Sequence, residues 1–68
     1  MPVLKIIELI GNSPESPEAA VQAAVTEASK TIRNIKSVDV LGIKGEVKEG
    51  KIVNWRANVK IAFIIERE

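Results

Sequence analysis

The chain has 68 residues, of which 46% are hydrophobic, a formal net charge of +1, and neither cysteine nor histidine. A single domain of this size, residues 1–68, has a core worth only roughly 3–5 kcal/mol, so such folds usually add disulfides, a metal or oligomerisation. The composition excludes disulfides, thiolate or imidazole metal sites and histidine acid–base catalysis, which leaves oligomerisation as the expected support.

Composition and charge pattern also limit the partners. The longest uninterrupted apolar run, Ile61 to Ile65, is far shorter than the ~18 residues of a membrane span, and the N-terminus has no signal-peptide pattern. Acidic and basic residues are interspersed, without the basic face that nucleic-acid binding requires. We therefore expect a soluble cytoplasmic protein that binds neither membranes nor nucleic acid.

The first predicted element is a strand from Val3 to Ile10, a segment rich in β-branched and apolar residues. Apolar side chains occupy both faces: Leu4, Ile6 and Ile10 on one, Ile7 and Leu9 on the other. A strand of this kind is expected to be covered on both sides. The segment Gly11–Pro14 is expected to end it.

A helix is predicted to begin at Ser16-Pro17-Glu18. The serine hydroxyl suits the N-cap, proline suits the first helical position, and the glutamate lies near the positive end of the helix dipole. We expect the helix to run to about Asn34 with one apolar stripe facing the sheet. The stripe consists of Val21, Ala24, Val25, Ala28, Ile32 and Ile35.

Two further strands, Lys36–Lys48 and Lys51–Glu66, are predicted to form a hairpin around Glu49-Gly50. Glycine supplies the positive φ that a two-residue hairpin turn needs. A three-residue loop with Gly50 in a bulge is the alternative.

The two-residue turn determines the predicted register of the hairpin. It pairs Val47 with Ile52, Ile43 with Arg56, and Ser37 with Ala62. Val38 and Val40 then share the helix-packed face with Trp55, Val59 and Ile61, and the opposite face carries Leu41, Ile43, Val47, Ile52, Arg56 and Ile64. A register error of one residue would exchange the two faces of Lys36–Lys48.

The predicted lengths of these elements do not match. A strand of about 14 residues spans ~46 Å, whereas a helix of about 18 residues spans ~27 Å. One helix cannot cover this β-α-β-β sheet, and identical subunits are the simplest source of the missing cover.

Catalytic groups are scarce, so we do not expect an enzyme. The serines have no evident activating base, and no phosphate-binding loop occurs. Asp39, Glu46 and Glu49 could ligate a hard cation, but they lack the dense spacing of a calcium loop and are expected to be surface carboxylates.

Two residues of the last strand differ in expected role. Trp55 is expected to pack in the core rather than to stack on a ligand. Arg56 is expected mid-strand on the opposite face, near Lys44. It is either solvated or paired at an interface, or it donates to an anionic or polar ligand held between subunits.

These residues resemble the dodecins, a family of small β-α-β-β proteins. The matching segments are Lys5–Ser13 with Ser16, Ala19–Val21, Ala23–Val25, Ala28–Ile35, Gly50–Ile52 and Trp55–Phe63. The resemblance implies an α+β fold with a three-stranded antiparallel sheet wrapped around one helix, and twelve subunits in a hollow sphere. Many dodecins bind flavin, such as FMN or riboflavin, as stacked pairs at subunit interfaces and are thought to store or quench it.

The resemblance also implies which positions hold the ligand. Flavin-binding dodecins have a stacking Trp at the start of the second strand, where this chain has Ser37. They have a Gln after an aromatic residue in the third strand, where this chain has Arg56 after Trp55. A basic phosphate contact is retained as Lys44, and a second basic position is Ile64 here.

The combination of Ser37 and Arg56 is similar to the branch of dodecins that lacks tight flavin binding, some of which has been described with calcium. We therefore expect a homododecameric flavin-storage protein with a degenerate pocket at Ser37, Lys44 and Arg56. The alternative is a dodecin-like shell that binds another small ligand or an ion such as calcium.

Overall fold

The elements follow the predicted order β-α-β-β: β1 (Val3–Ser13), α1 (Pro17–Ser29), β2 (Ile35–Lys48) and β3 (Lys51–Ile65). The structure is a computed structural model and describes residues 2–65. Glu66, the predicted end of the last strand, lies outside these residues. The strands form one antiparallel sheet in the order β1-β3-β2, with α1 packed against it. The predicted α+β class and sheet are confirmed.

Strand β3 lies in the centre of the sheet and pairs with β1 on one side and β2 on the other. This position explains the alternation in its sequence, since one of its faces lies beneath the helix. Ala57, Val59 and Ile61 on that face are completely buried.

Strand β1 extends three residues beyond the predicted end at Ile10 and reaches Ser13. Gly11 does not break it but pairs with Ala57. A Cβ atom at Gly11 would collide with the carbonyl oxygen of Ala20 and lie 3.1 Å from the Cβ of Ala24. Glycine is required here because the helix backbone approaches the strand too closely for any side chain.

The start of α1 agrees with the sequence prediction. The Ala19 N–H donates to the Ser16 hydroxyl over 3.0 Å, Pro17 is the first helical residue, and Glu18 lies in the first turn. The N-cap therefore satisfies one of the amide groups that a helix start leaves unpaired.

The helix ends at Ser29, so the predicted extension to Asn34 is wrong. Asn34 has a φ of 61°, in the left-handed region that asparagine tolerates better than most residues. Its carbonyl accepts a hydrogen bond from the Ile64 amide over 3.1 Å, which directs the chain into β2. Ile32 and Ile35, predicted on the helical stripe, pack on the core from outside the helix instead: Ile32 from this connection and Ile35 from the start of β2.

The core between helix and sheet consists mainly of small residues. Val21 and Val25, predicted near the middle of the stripe, are only half-buried at its margin. The buried hydrophobic residues are Ala20, Ala24, Ala28, Ala57, Val59 and Ile61. Because alanine has only a methyl group, the helix lies close to the sheet.

The hairpin turn is the predicted two-residue turn. Glu49 and Gly50 have φ values of 51° and 76°, and Lys48 pairs with Lys51 beside them. Positive φ at both central residues is typical of a type I′ turn, which matches the twist of the flanking strands. The three-residue alternative is wrong.

The predicted register is correct at Val47–Lys48 and from Ser37 to Val40, is shifted by one residue in between, and meets a further irregularity between Ile35 and Ser37. Val47 pairs with Ile52 and Ser37 with Ala62, as predicted, but Ile43 pairs with Ala57 rather than Arg56. One extra residue in β3, Val53, shifts the pairing by one position, and one extra residue in β2, Leu41, shifts it back. These two β-bulges enclose the displaced segment.

The shift changes the face of several residues. Ile43 lies with Ala57, on the side of the helix, and not with Arg56 as predicted. Val47 and Ile52 were also predicted on the face of Arg56. Ile52 instead shares the face of Trp55, because a Cβ atom added at Gly45 would lie 3.3 Å from a side-chain atom of Ile52 and 3.3 Å from one of Trp55. Val47 pairs with Ile52 and shares its face.

The sheet is much longer than the helix, as predicted. The molecule measures 54 × 20 × 13 Å, whereas the 13 residues of α1 span ~20 Å. The helix packs on β1 and β3 and scarcely contacts β2. Val40, predicted to pack on the helix, therefore remains 46% exposed. Val38, on the same strand, does pack against the core, as predicted.

We call the side of the sheet away from the helix the open face. Its β1 residues include Leu4, Ile6 and Ile10, which are between 56% and 63% exposed in the single chain. The predicted cover of both faces of β1 is therefore not supplied by the chain itself.

Within residues 2–65, no helix has the length and apolarity that crossing a membrane requires.

Candidate functional site

The two bulges bring Arg56 and Lys44 together on the open face. Arg56 lies mid-strand on β3, with Asn12 opposite on β1 and Lys44 opposite on β2. An unbroken hairpin register would have placed Ile43 at this position. The displaced segment of β2 therefore converts an apolar neighbour of Arg56 into a cationic one.

A groove of about 250 Å³ lies beside these two cations. It combines apolar walls with a lysine, an arginine and an amide. The lining residues are Ile10, Leu41, Gly42, Ile43, Lys44, Arg56 and Asn58. Small-molecule sites commonly combine apolar walls with a few polar groups that orient the ligand. The groove suits a ligand with an apolar or aromatic body and an anionic group.

The cations of the groove differ in their partners. Nη2 of Arg56 donates to Oε1 of Glu46 over 3.4 Å, and both side chains are partly exposed. Lys44 has no ion pair with any residue between 2 and 65. Arg56 is thus paired within its own chain, its pairing at an interface stays a prediction, and Lys44 remains available to an anion.

An amide pair lies next to Arg56 on the open face. Nδ2 of Asn54 donates to Oδ1 of Asn12 over 3.2 Å. Since Asn12 is the β1 neighbour of Arg56, this bond orients one of the residues that flank the guanidinium.

Ser37 lies apart from the other two predicted site residues. It pairs with Ala62, about seven residues and roughly 20 Å along β2 from Lys44, and it does not line the groove. One chain brings Lys44 and Arg56 together but not Ser37. A site that used all three residues would need more than one copy of the chain.

The other chemistry-bearing residues take structural or separate positions. Trp55 packs against the core, as predicted. Asp39, Glu46 and Glu49 do not converge: residues 2–65 contain no group of three acidic residues that could hold a metal ion. Asp39 instead lies opposite Lys60, which faces Glu8 on the other side.

Sequence reasoning missed part of the groove and the partner of Arg56. Asn58 and Ile10 are direct cross-strand partners, and the alternation of both strands could have placed them on the face of Arg56. Glu46 carried no signal, because its proximity to Arg56 depends on the bulge at Val53.

A second hollow, of about 350 Å³, lies at the opposite end of the sheet. It is more open than the groove and is lined by Lys5, Arg33 and Phe63 among others. None of the predicted site residues lines it.

Comparisons with known proteins agree on one family. The dodecin family model matches residues 3–66. The dodecin of Thermus thermophilus is 36% identical over 64 residues, covering 94% of this chain and 93% of that protein. The crystal structure of a point mutant of the T. thermophilus dodecin superposes with a TM-score of 0.94 at 34% identity, covering 98% of this chain and all of that one. The dodecin of Streptomyces coelicolor gives 0.93 at 30% identity, covering 98% and 96%.

Proposed function

The chain belongs to the dodecin family, and on that premise we propose that it is a homododecamer that binds and stores a small anionic ligand, with FMN as the first candidate. The observation that carries this proposal is that Lys44 and Arg56 are cross-strand neighbours beside a groove with apolar walls. A planar apolar ring with a phosphate group would match both parts of that groove.

Self-assembly is supported by what the single chain leaves uncovered. The open face exposes Leu4, Ile6 and Ile10, and the helix leaves much of β2 bare. Burying a large aliphatic side chain stabilises by ~1.5–3 kcal/mol, which a domain with so small a core needs. Twelve chains of 7.4 kDa would give a particle of about 89 kDa.

Flavin binding is expected to depend on the phosphate group rather than on stacking. Ser37 offers no aromatic surface where the resemblance implies a Trp. Arg56 offers donors but no acceptor for the polar edge of the flavin ring. Two adjacent cations favour a phosphate, so FMN should bind more tightly than riboflavin, which carries no charge.

Titration of the assembled protein with FMN and with riboflavin, followed by quenching of flavin fluorescence, tests this proposal. We expect FMN to bind about five- to tenfold more tightly, since a hydrogen bond to a charged group contributes ~1.5–3 kcal/mol and exposure reduces it. Lys44→Met should remove the preference. Lys48→Met, which removes a lysine of the same strand outside the groove, should retain it.

The absence of quenching by both ligands at micromolar protein would overturn flavin binding. In that case a calcium-dependent rise of the melting temperature, not reproduced by magnesium, would favour the ion-binding alternative. That alternative rests on the family resemblance alone. The absence of enzymatic activity stays a prediction.

A further inference from the structure

We propose that Glu46 is an internal competitor for Arg56, so that an anionic ligand enters the groove by replacing the Glu46 carboxylate with its own oxyanion. The inference rests on the proposed function, because it deepens the role of the same groove. It makes Glu46 a specificity-determining residue: it weakens the binding of all anions, and only a ligand that gains enough from the remaining contacts displaces it.

The positions of Arg56 and Glu46 carry the inference. Arg56 lines the groove, and Glu46 binds it without lining the groove itself. Their contact of 3.4 Å is long for a charge-assisted hydrogen bond, and the two side chains are 52% and 39% exposed. Such a contact can be exchanged at little cost.

Glu46 holds this position because of the backbone. It pairs with Asn54, just before the shift that the extra Val53 introduces into β3. Lys44 and Glu46 are two residues apart on β2 and share one face, so they flank Arg56 from the same strand. Lys44 attracts an anion to the groove, whereas Glu46 binds the guanidinium of Arg56 with which that anion would otherwise interact.

The size of the effect follows from the exposure of the pair. Exposed ion pairs contribute ~0.2–1 kcal/mol, so removing the competitor should raise the affinity for an anion by about 1.5- to fivefold. The gain requires Arg56, and a ligand without negative charge should not show it.

A double-mutant cycle on the assembled protein tests this competition by calorimetry with FMN, riboflavin and inorganic pyrophosphate. The variants are Glu46→Gln, Arg56→Gln and their combination. Glu49→Gln is the matched control, because it removes one carboxylate of the same hairpin that has no ion pair within residues 2–65. Light scattering checks that every variant keeps the assembly of the parent.

We expect Glu46→Gln to bind FMN and pyrophosphate about 1.5- to fivefold more tightly than Glu49→Gln, with riboflavin unchanged and no gain in the Arg56→Gln background. Equal affinities in the two single variants would overturn the inference. So would a gain that persists without Arg56, since it would then reflect only the overall charge.

Failure of the proposed function gives a different result. If the parent protein binds neither flavin but Glu46→Gln binds pyrophosphate more tightly than Glu49→Gln, flavin storage is wrong and the competition stands. If no variant binds any of the three probes, both are wrong.

Discussion

The two faces of the sheet differ in the size and burial of their apolar side chains. On the helix face, Gly11 and small buried residues such as Ala20 and Ala24 allow the helix backbone to approach the strands directly. On the open face, large aliphatic residues such as Ile6 and Ile10 remain exposed and surround a polar row centred on Arg56.

The difference separates what one chain supplies from what it needs from others. The helix face is covered within the chain beneath α1, where strand, helix and connection pack on one core, although the helix leaves much of β2 bare. The open face has no cover within residues 2–65. Substitutions on the first face should therefore change folding, whereas substitutions on the second should change assembly and ligand binding.

The largest effect is expected from Gly11→Ala, which would break the helix face. The added methyl group would collide with the carbonyl oxygen of Ala20, and backbone atoms cannot move aside as a side chain can. Overpacking costs ~1–3 kcal/mol and sometimes more, and we expect ~3 kcal/mol or above here. Circular dichroism should show a chain that is largely unfolded or melts far earlier.

Gly42→Ala is the matched control, because no atom of residues 2–65 outside the glycine and its two chain neighbours lies within 4 Å of the Cβ position. We expect it to change the stability of the fold by less than ~0.5 kcal/mol. Equal destabilisation by the two substitutions would contradict the proposed difference between the faces.

A smaller effect per subunit is expected from Ile6→Lys on the open face. Ile6 is 60% exposed in the single chain, so a lysine there should scarcely disturb the helix-face core. In the assembly, losing one buried isoleucine removes ~1.5–3 kcal/mol per copy. Light scattering should show a mass well below the 89 kDa or so expected for twelve chains of 7.4 kDa.

Gln22→Lys adds the same charge on the exposed side of the helix and should leave the mass unchanged. A particle of full mass from Ile6→Lys would mean that this part of the open face is not an interface.

The smallest of these three effects is expected from Ser37→Trp, which introduces the aromatic residue that the resemblance implies. Stacking on an aromatic side chain contributes ~1–3 kcal/mol, and without a Gln at position 56 we expect the lower end, or about a five- to tenfold gain in FMN affinity. Fluorescence titration measures this gain. Ser29→Trp, on the exposed side of the helix, should bind FMN with the affinity of the parent. If Ser29→Trp raised the FMN affinity as much as Ser37→Trp, the gain would be due to non-specific stacking.

Features determined by neighbouring residues could be predicted from the sequence. The helix start depends on Ser16 and Pro17 alone, and the hairpin turn depends on Gly50. The alternation of β3 identified its buried face because the strand is central and covered along Ala57, Val59 and Ile61. The hairpin pattern also predicted Arg56 near Lys44, and the register pairs the two residues directly.

Features determined by distant parts of the chain could not be predicted from the sequence. Gly11 looks like a strand end, and its reason becomes visible only once the position of the helix is known. Val53 and Leu41 are ordinary strand residues by propensity, so nothing local marks them as bulges. The pairing of Arg56 with Glu46 follows from those bulges and was missed with them.

The paired bulges also have a consequence for how the sequence can evolve by deletion. Because Val53 and Leu41 shift the register in opposite directions, losing both would leave every other pair of the hairpin in place. A gene that lost the two codons together would keep its turn and the pairing of its core residues, would lose the bends of the two bulges, and would remove Leu41 from the wall of the groove. Two single-residue gaps in an alignment, one in each strand of the hairpin, would then mark an altered groove wall beside an unchanged Lys44–Arg56 pair.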